Sequence, residues 1–261
     1  MPWLNLEQGS PEWLEARRGA ITGSRFKDAR DRSSGLTQQQ TAYVALVRSG
    51  KEPAEAATIA GYKKPPTSEA VAEAVKNGIV MQWGAKAMGY AHDIARERCG
   101  GAAPAKFQNS AMRTGTEQEP RARAMYEAHT GHMVDEVGFF VAEDGRFGLS
   151  PDGLINDDGV LEIKTMVSSD TLFQAVVDGD VSEYIDQCHG YLWLLGRQWV
   201  DLVLWVHDLE HLVIHRITRD EDAIEALEAD LIAFLALADQ QEQKLRAAIA
   251  ANAPAVMEHP A

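Results

Sequence analysis

One predicted β-hairpin constrains the fold of this chain more than any other part of the sequence. Residues 160–165 are rich in β-branched side chains and alternate in polarity, which predicts a strand with Glu162 and Lys164 on one face. The run Asn156-Asp157-Asp158-Gly159 predicts a tight turn before this strand, so the segment carrying Asp152 folds back beside it. The sequence therefore predicts two carboxylates and one ammonium at a single point of a sheet.

This group of charges is suited to cutting a phosphodiester. Carboxylate oxygens suit a hard divalent cation such as Mg²⁺, and a nearby ammonium can orient a water or stabilise charge on a phosphate. The alternative interpretation is a surface hairpin with an ordinary Glu-Lys salt bridge. Against it, Glu162 and Lys164 alternate with Leu161 and Ile163, and Pro151-Asp152-Gly153 lies unusually close to the second turn.

The composition bounds the class of protein. At 261 residues and 45% hydrophobic, the chain is long enough for one good core with a small appendage. A net charge of −14 argues against non-specific coating of nucleic acid but permits a nuclease whose positive charge is confined to a channel. Cys99 and Cys188 lie far apart and are expected to be reduced thiols. Without an apolar leader or membrane-length apolar run, we expect a cytoplasmic protein with no membrane partner.

Hydrophobic periodicity predicts an α/β fold in which helices flank a mixed central sheet. The expected strands lie at about 133–142, 146–155, 160–166, 200–207 and 212–217. The expected helices are a broken pair within 11–32, then 78–98, 116–130, 168–178, 182–196 and 221–250. We expect residues 1–35 and 78–261 to form the core, and residues 36–77 to be an inserted helical subdomain.

The predicted insertion has helix signals of its own. Thr37 and Gln40 form a capping box, Pro53 begins a second helix that ends near Gly61, and a third helix follows Pro65-Pro66. These helices resemble the helix-turn-helix of phage small-terminase subunits, which implies DNA binding. A helical decoration or a protein-contact module is the alternative. Because the third helix carries two glutamates, contact with the DNA backbone is expected rather than base reading.

Three further segments carry candidate site residues. Glu119 is either an ordinary glutamate of a helix first turn or a residue that reaches the metal site. Gln187 lies on an apolar helix, where it either satisfies a buried hydrogen bond or positions the lysine or the attacking water. Arg17 precedes Thr22 and Ser24 near a helix start. This segment is either a solvated basic patch with a serine cap, or an anion site built from free N–H groups and a guanidinium.

Five motifs occur in an order that indicates a family. They are Trp13…Arg17-x-Gly19-x-Ile21-Thr22-x-Ser24, Gly115-x3-Glu119, Ser150-Pro151-Asp152-Gly153-Leu154, Leu161-Glu162-Ile163-Lys164 and Tyr184-x2-Gln187. Each motif is weak alone. Together they resemble the lambda exonuclease-type (YqaJ-like) viral recombinases over residues 11–32 and 78–215.

The resemblance implies a restriction-endonuclease-like PD-(D/E)xK core and a Mg²⁺-dependent exonuclease that digests one strand of linear duplex DNA from its 5′ end. It implies two ions per site with Mn²⁺ as a substitute, mononucleotide products, and 3′ single strands for an annealing protein in phage-type recombination. Members of this family resemble toroidal homotrimers, which would reconcile an acidic exterior with a basic channel. The expected location is the cytoplasm of a bacterial host.

The resemblance also assigns roles to residues. The implied metal ligands are Asp152, Glu162, the carbonyl group of Ile163 and, upstream, Asp144. The implied catalytic residues are Lys164, Glu119 and Gln187. The residues implied to hold the 5′ phosphate and the DNA are Arg17, Thr22, Ser24 and Ser150.

Two other functions remain open from the sequence. An endonuclease with the same core would cut closed circular DNA, whereas an exonuclease needs an end. A DNA-binding regulator would use the insertion on a decayed nuclease core. The presence of Asp152, Glu162 and Lys164 together argues against decay.

Overall fold

The computed structural model describes residues 3–6, 8–102 and 110–251. The chain divides into two compact units, one comprising Met1–Arg30 with Gly89–Ala261 and the other comprising Asp31–Met88. Residues 252–261 of the predicted core lie outside the described residues. In the part of the chain described, no helix is both long and apolar enough to cross a membrane.

The elements follow one another along the chain in three groups. The first group is β1 (Trp3–Leu4), α1 (Pro11–Ala16), β2 (Ile21–Thr22), a 3-10 turn (Gly23–Arg25) and α2 (Phe26–Ala29). The second is β3 (Arg32–Ser33), α3 (Gln38–Arg48), α4 (Pro53–Ile59), α5 (Glu69–Asn77), β4 (Gln82–Trp83) and α6 (Ala85–Arg98). The third is α7 (Ser110–Thr130), β5 (Val134–Asp135), β6 (Phe139–Val141), β7 (Phe147–Leu149), β8 (Gly153–Ile155), β9 (Gly159–Thr165), α8 (Ser169–Leu172) with a π-turn (Phe173–Val177), α9 (Ile185–Leu195), β10 (Trp199–Val206), β11 (His211–Thr218) and α10 (Glu221–Ala251).

The central sheet has five strands in the order β11-β10-β9-β8-β5. Strands β9 and β10 are parallel and the other pairs are antiparallel, so the sheet is mixed, as predicted. Leu161 and Ile163 of β9 pack with Ala122 and Tyr126 of α7 in one buried cluster. The alternate residues of β9 contact α9 instead, so the two helices cover opposite faces of this strand.

A second sheet has four strands in the order β1-β6-β7-β2. Strand β2 runs parallel to β7, with Ile21 opposite Phe147 and Thr22 opposite Gly148. This pairing matters for the site, because it carries the segment that follows Thr22 alongside the segment that follows Leu149.

Two predicted strands are wrong in their extent. The stretch 133–142 is divided into β5 and β6, and the stretch 146–155 into β7 and β8, and each time the two halves belong to different sheets. Pro151 explains the second break, because proline has no N–H to donate to a ladder and cannot sit inside a central strand. The chain instead changes sheets at Ser150-Pro151-Asp152.

Two predicted helix starts are also wrong. The helix expected from Gly78 begins only at Ala85, because Gly78 adopts φ +96° and ends α5, and β4 intervenes. The helix expected from Thr116 begins earlier, at Ser110, with Pro120 in its interior. Glu119 therefore lies in the interior of this helix and not in its first turn, and the helix continues through Pro120 although proline has no N–H to donate.

The smaller unit contains the three helices predicted for residues 36–77. The side chain of Thr37 accepts from the Gln40 N–H at 3.1 Å, and the Gln40 side chain accepts from the Thr37 N–H at 2.9 Å, so the predicted capping box is present. The unit is wider than the predicted insertion because β3 and β4 pair as a ribbon. The Arg48 guanidinium donates to the Val75 carbonyl at 3.0 Å and thus stabilises the end of α5. DNA binding by this unit stays a prediction.

A buried aspartate links β10 to β11 and to α7. Asp201 is 0% exposed and accepts two hydrogen bonds from Arg216, at 2.8 and 2.7 Å, on the neighbouring strand. The Tyr126 hydroxyl donates to the same carboxylate at 2.6 Å. Because three donors satisfy the buried charge, removal of the acceptor leaves a buried hydroxyl and a guanidinium without their partner.

Asp201→Ala is expected to lower the free energy of unfolding by about 1–3 kcal/mol, the cost typical of leaving a buried polar group, here the Tyr126 hydroxyl, without its partner. Urea unfolding followed by circular dichroism measures the change. Asp208→Ala is the matched control, since Asp208 is exposed just beyond the same strand, and a surface change of this kind is expected within about 0.5 kcal/mol of the parent chain. Equal stability of the two variants would contradict the structural role of Asp201.

Candidate active site

The predicted hairpin is present and brings Asp152 against β9. Strand β8 pairs with β9 from Gly153 opposite Leu161 to Ile155 opposite Gly159. The Asp152 N–H donates to the Leu161 carbonyl at 3.1 Å, and the Asp152 Oδ2 accepts from the Ile163 N–H at 2.6 Å. These two bonds fix the Asp152 carboxylate beside the middle of β9.

Glu162, Lys164 and Gln187 form a hydrogen-bonded cluster on the face of β9 that α9 covers. The Lys164 Nζ lies 2.6 Å from the Glu162 Oε1 and donates to the Gln187 Oε1 at 3.1 Å. The Gln187 Nε2 donates to the Glu162 Oε1 at 2.8 Å. Glu162 is only 3% exposed, so these contacts replace water around a buried charge.

Glu119 reaches the same neighbourhood from α7. Its carboxylate pairs with Arg123 at 2.6 Å one turn later in the helix, and Arg123 also pairs with Glu136 at 2.6 Å. Burial, together with the negative charges of Glu162 and Glu136, raises the pKa of Glu119 above its ordinary value. Glu119 is therefore electrostatically linked to Glu162, and its part in a metal site stays a prediction.

The carboxylates of the site repel one another. Burial raises the pKa of Asp152 well above its ordinary value, and the Glu162 and Glu119 charges raise it further. Bound positive charge relieves this repulsion, and the available donors, which are carboxylate oxygens and the Ile163 carbonyl, are those that hard divalent cations prefer. Within the described ranges no group of three or more acidic, His or Cys side chains is arranged so that it could hold a metal ion by itself. That is compatible with Mg²⁺, which usually binds one or two carboxylates and keeps several waters or phosphate oxygens as ligands.

The ammonium of Lys164 is held in its charged form. Burial alone would lower its pKa, but the Glu162 carboxylate, and next Asp152, raise the pKa above the ordinary lysine value. A lysine in this state supplies positive charge and hydrogen-bond donors. It is not placed to remove a proton from water.

Arg17, predicted to bind the 5′ phosphate, is held by one aromatic ring and one hydroxyl. Its guanidinium lies 4.2 Å above the Trp13 ring and donates to the Thr22 Oγ1 at 3.1 Å. Burial lowers the pKa of Arg17 from its usual value, and among the described residues no carboxylate lies within ion-pair distance of it. The neighbouring Arg25, in contrast, is paired with Asp93 at 2.8 Å and Asp28 at 3.1 Å. Arg17 is thus a half-buried cation whose charge is available to an anion.

Gly23 joins the Arg17 segment to the carboxylate cluster. A Cβ at Gly23 would lie 2.8 Å from the Leu149 side chain, 3.9 Å from Gln187 and 4.0 Å from Tyr191, so the backbone approaches this surface more closely than another residue permits. Ser24, which is exposed, follows Gly23, and Ser150 follows Leu149 on the parallel strand.

Asp144 is not brought to the other carboxylates. It lies in the exposed turn between β6 and β7, where its Oδ1 accepts from the Arg146 N–H at 2.9 Å. The short spacing from Asp144 to Asp152 is filled by β7 and by the crossing between sheets. The acidic charges that raise the pKa of Asp152 are those of Glu162 and Glu119.

Sequence reasoning missed two tyrosines that support the site. The Tyr90 hydroxyl of α6 accepts from the Thr22 N–H at 2.8 Å, and its ring lies 3.8 Å from the Arg25 guanidinium. The Tyr191 hydroxyl donates to Glu162. Tyr191 lies four residues after Gln187 on a helix, a spacing that places both on one face, and this was the available signal. Tyr90 gave none, because its partner is far away in sequence.

Comparison with protein families decides the class of this site. The model of the YqaJ-like viral recombinase domain matches residues 12–198. The chain belongs to this family. The predicted resemblance is therefore confirmed, and with it the predicted enzyme class, a nuclease. Nucleases of this kind generally depend on a divalent metal.

Solved structures agree with the family assignment. An alkaline exonuclease, LHK-Exo from Laribacter hongkongensis, is 28% identical with a TM-score of 0.66, and the match covers 94% of this chain and 100% of that one. The same enzyme in complex with dAMP matches equally well. A phage-related exonuclease from Haemophilus somnus 129PT is 16% identical with a TM-score of 0.52, covering 69% of this chain and 90% of that one, and shares the fold. No curated protein sequence matches. The restriction-endonuclease-like α/β fold is confirmed.

Asp152→Asn is expected to stabilise the protein in the presence of a chelator at pH 7. Because the folded-state pKa of Asp152 is raised, the folded protein binds this proton more tightly than the unfolded chain does, and stability falls as pH rises above about 4. Asparagine removes the charge and keeps an oxygen to accept from the Ile163 N–H. The expected rise in Tm is about 2–4 °C per kcal/mol.

Thermal unfolding at pH 7 with chelator measures this effect, and Asp144→Asn in the exposed turn is the control, expected to leave Tm unchanged. A lower Tm for Asp152→Asn would mean that the carboxylate form is favoured in the fold, against the repulsion described above.

Proposed function

We propose that the protein is a Mg²⁺-dependent exonuclease that digests one strand of linear duplex DNA from its 5′ end, releasing mononucleotides and leaving 3′ single strands for an annealing protein. The observation that carries the proposal is the cluster of Asp152, Glu162 and Lys164 on β9, with Gly23, from the segment that also carries Arg17, packed against Gln187 of the same cluster. An end-binding site beside a hydrolytic site is what an exonuclease requires. The similarity to an exonuclease solved with dAMP, a deoxynucleoside monophosphate, supports the same product class.

Asp152, Glu162, the Ile163 carbonyl and Glu119 would hold the metal. A divalent cation bound there supplies Lewis-acid charge and lowers the pKa of a bound water. Two ions per site and replacement of Mg²⁺ by Mn²⁺ are part of the proposal. Asp144 is left out of this set because of its position in the exposed turn.

Lys164 acts as a fixed positive charge. Its raised pKa keeps it protonated at neutral pH, so its role is to stabilise negative charge that develops on the scissile phosphate and to orient the attacking water. Gln187 accepts from the ammonium and donates to Glu162, and so holds both groups in one orientation.

Arg17 and Ser24 would bind the terminal 5′ phosphate. A guanidinium matches phosphate with two parallel N–H donors, and hydroxyl groups add neutral donors. Thr22 accepts from Arg17 and orients it. Ser150, which follows β7 and precedes Asp152 in the chain, would contact the DNA backbone.

The test compares linear duplex carrying 5′ phosphates with the same DNA as a closed circle, both with Mg²⁺. We expect loss of the linear DNA alone, with a 5′ label released before a 3′ label and one strand surviving. Lys164→Ala is expected to abolish cleavage and to retain DNA binding, which gives the negative control. Omission of metal is expected to have the same effect as this substitution.

The other outcomes identify the other functions. Cutting of the circle would replace the proposal with an endonuclease, and full activity of Lys164→Ala would overturn the site assignment. No cutting of either DNA, with binding retained, would favour a regulator that uses the helical insertion at residues 36–77. The expected homotrimer is tested separately, by the mass of the protein in solution.

Arg17→Gln is expected to lower kcat/KM on 5′-phosphorylated ends by about tenfold or more, the usual cost of losing a charge-assisted hydrogen bond. Activity on 5′-hydroxyl ends is expected to change much less. Arg18→Gln is the matched control, because Arg18 is adjacent and exposed and pairs with Glu15 instead. An equal loss on both kinds of end would show that Arg17 does not recognise the phosphate.

A further inference from the structure

Tyr191 makes a contact that the reaction as described above does not use. Its side chain is 1% exposed, and its hydroxyl lies 2.5 Å from the Glu162 Oε2. The same hydroxyl accepts from the Gln187 Nε2 at 2.7 Å and lies 3.4 Å from the Ser150 carbonyl oxygen. A hydroxyl has one proton to donate, and the short distance assigns it to Glu162.

The two oxygens of Glu162 are held by different kinds of donor. Lys164 and Gln187 both contact Oε1, and each belongs to the group that would face the reacting phosphate. Tyr191 alone, of the residues the structure describes, contacts Oε2. The Tyr191 hydroxyl is an uncharged donor, so it does not neutralise the carboxylate. A carboxylate oxygen can accept from more than one partner, so Oε2 can also bind another ligand.

The ring of Tyr191 is fixed more firmly than the other two donors. It has two rotatable side-chain bonds, whereas lysine and glutamine have more, and it is enclosed on α9 beside the backbone of Gly23. The buried Tyr191 hydroxyl therefore has fewer alternative positions than the Lys164 ammonium or the Gln187 amide. Groups that hydrogen-bond to a metal-ligating carboxylate set its orientation, and their loss costs about 10–100-fold in metal affinity or activity.

We propose that Tyr191 is a positioning residue, which fixes the orientation of the Glu162 carboxylate for binding a divalent cation. The inference rests on the proposed function, since it takes Glu162 as a metal ligand. It goes beyond that function by assigning the affinity of the metal site partly to a tyrosine that would touch neither the metal nor the DNA.

The test uses Tyr191→Phe, which removes one oxygen and keeps the ring. Isothermal titration of the DNA-free protein with Mn²⁺ is expected to show affinity weakened by about 10–100-fold. The Mg²⁺ concentration for half-maximal cleavage is expected to rise by a similar factor, with a smaller change in the rate at saturating Mg²⁺. Replacement of Tyr191 by 3-fluorotyrosine, which keeps the hydroxyl, is expected to retain the parent affinity.

Tyr126→Phe is the matched control. Its hydroxyl also donates to a fully buried carboxylate, that of Asp201 at 2.6 Å, on a residue outside the site. We expect this variant to lose stability of the same order as Tyr191→Phe but to bind Mn²⁺ as the parent chain does. Urea unfolding of both variants separates loss of folding from loss of metal.

The experiment distinguishes failure of the proposed function from failure of the proposed role of Tyr191. A parent protein that neither binds Mn²⁺ nor cleaves linear DNA would remove the proposed function itself. A parent that does both, with a folded Tyr191→Phe that has unchanged Mn²⁺ affinity, would overturn the role of Tyr191 alone. Equal weakening in Tyr126→Phe would also overturn it, because the effect would then reflect stability in general. If Tyr191→Phe does not fold, weakened Mn²⁺ affinity of the 3-fluorotyrosine protein would contradict the proposal, because its hydroxyl is still present.

Discussion

Alternation along β9 makes one strand serve both the core and the site. Leu161 and Ile163 pack against α7, while Glu162 and Lys164 between them contact α9. A shift of one residue in the pairing would exchange these faces, placing charges in the apolar cluster and leaving the site empty. The parallel ladder to β10 and the hairpin to β8 prevent such a shift. The pairing register of the central sheet therefore also decides which side chains of β9 face the site.

The acidic side chains of the site lie close together in spite of their mutual repulsion. Asp152, Glu162 and Glu119 are close enough for each charge to disfavour the next, and burial increases this effect. The protein compensates locally, with Arg123 beside Glu119 and Lys164 beside Glu162. The Lys164 charge also favours ionised Asp152, but burial and the two glutamate charges still raise the pKa of Asp152, and among the described residues only the Ile163 N–H donates to its carboxylate. This is a site that sacrifices some stability of the metal-free fold to keep affinity for positive charge.

The sequence was sufficient for whatever depends on local chemistry. The turn at residues 156–159, the period-two strand after it and the Thr37-Gln40 capping box each follow from nearby residues, and each was predicted correctly. What failed depends on distant partners. Asp144 was assigned by its order in the chain, yet the crossing at Pro151 separates it from Asp152. The first turn assigned to Thr116 and the role of Tyr90 depended on packing between elements that no local pattern encodes.

The contact at Gly23 has a consequence for variation at that position. The missing Cβ lets the backbone of Gly23 lie directly against Leu149, with Gln187 and Tyr191 close by. Those two side chains are the ones that hold Glu162 in place. A larger residue at position 23 would therefore push against the support of the carboxylate cluster, although the glycine itself contributes no side chain to it.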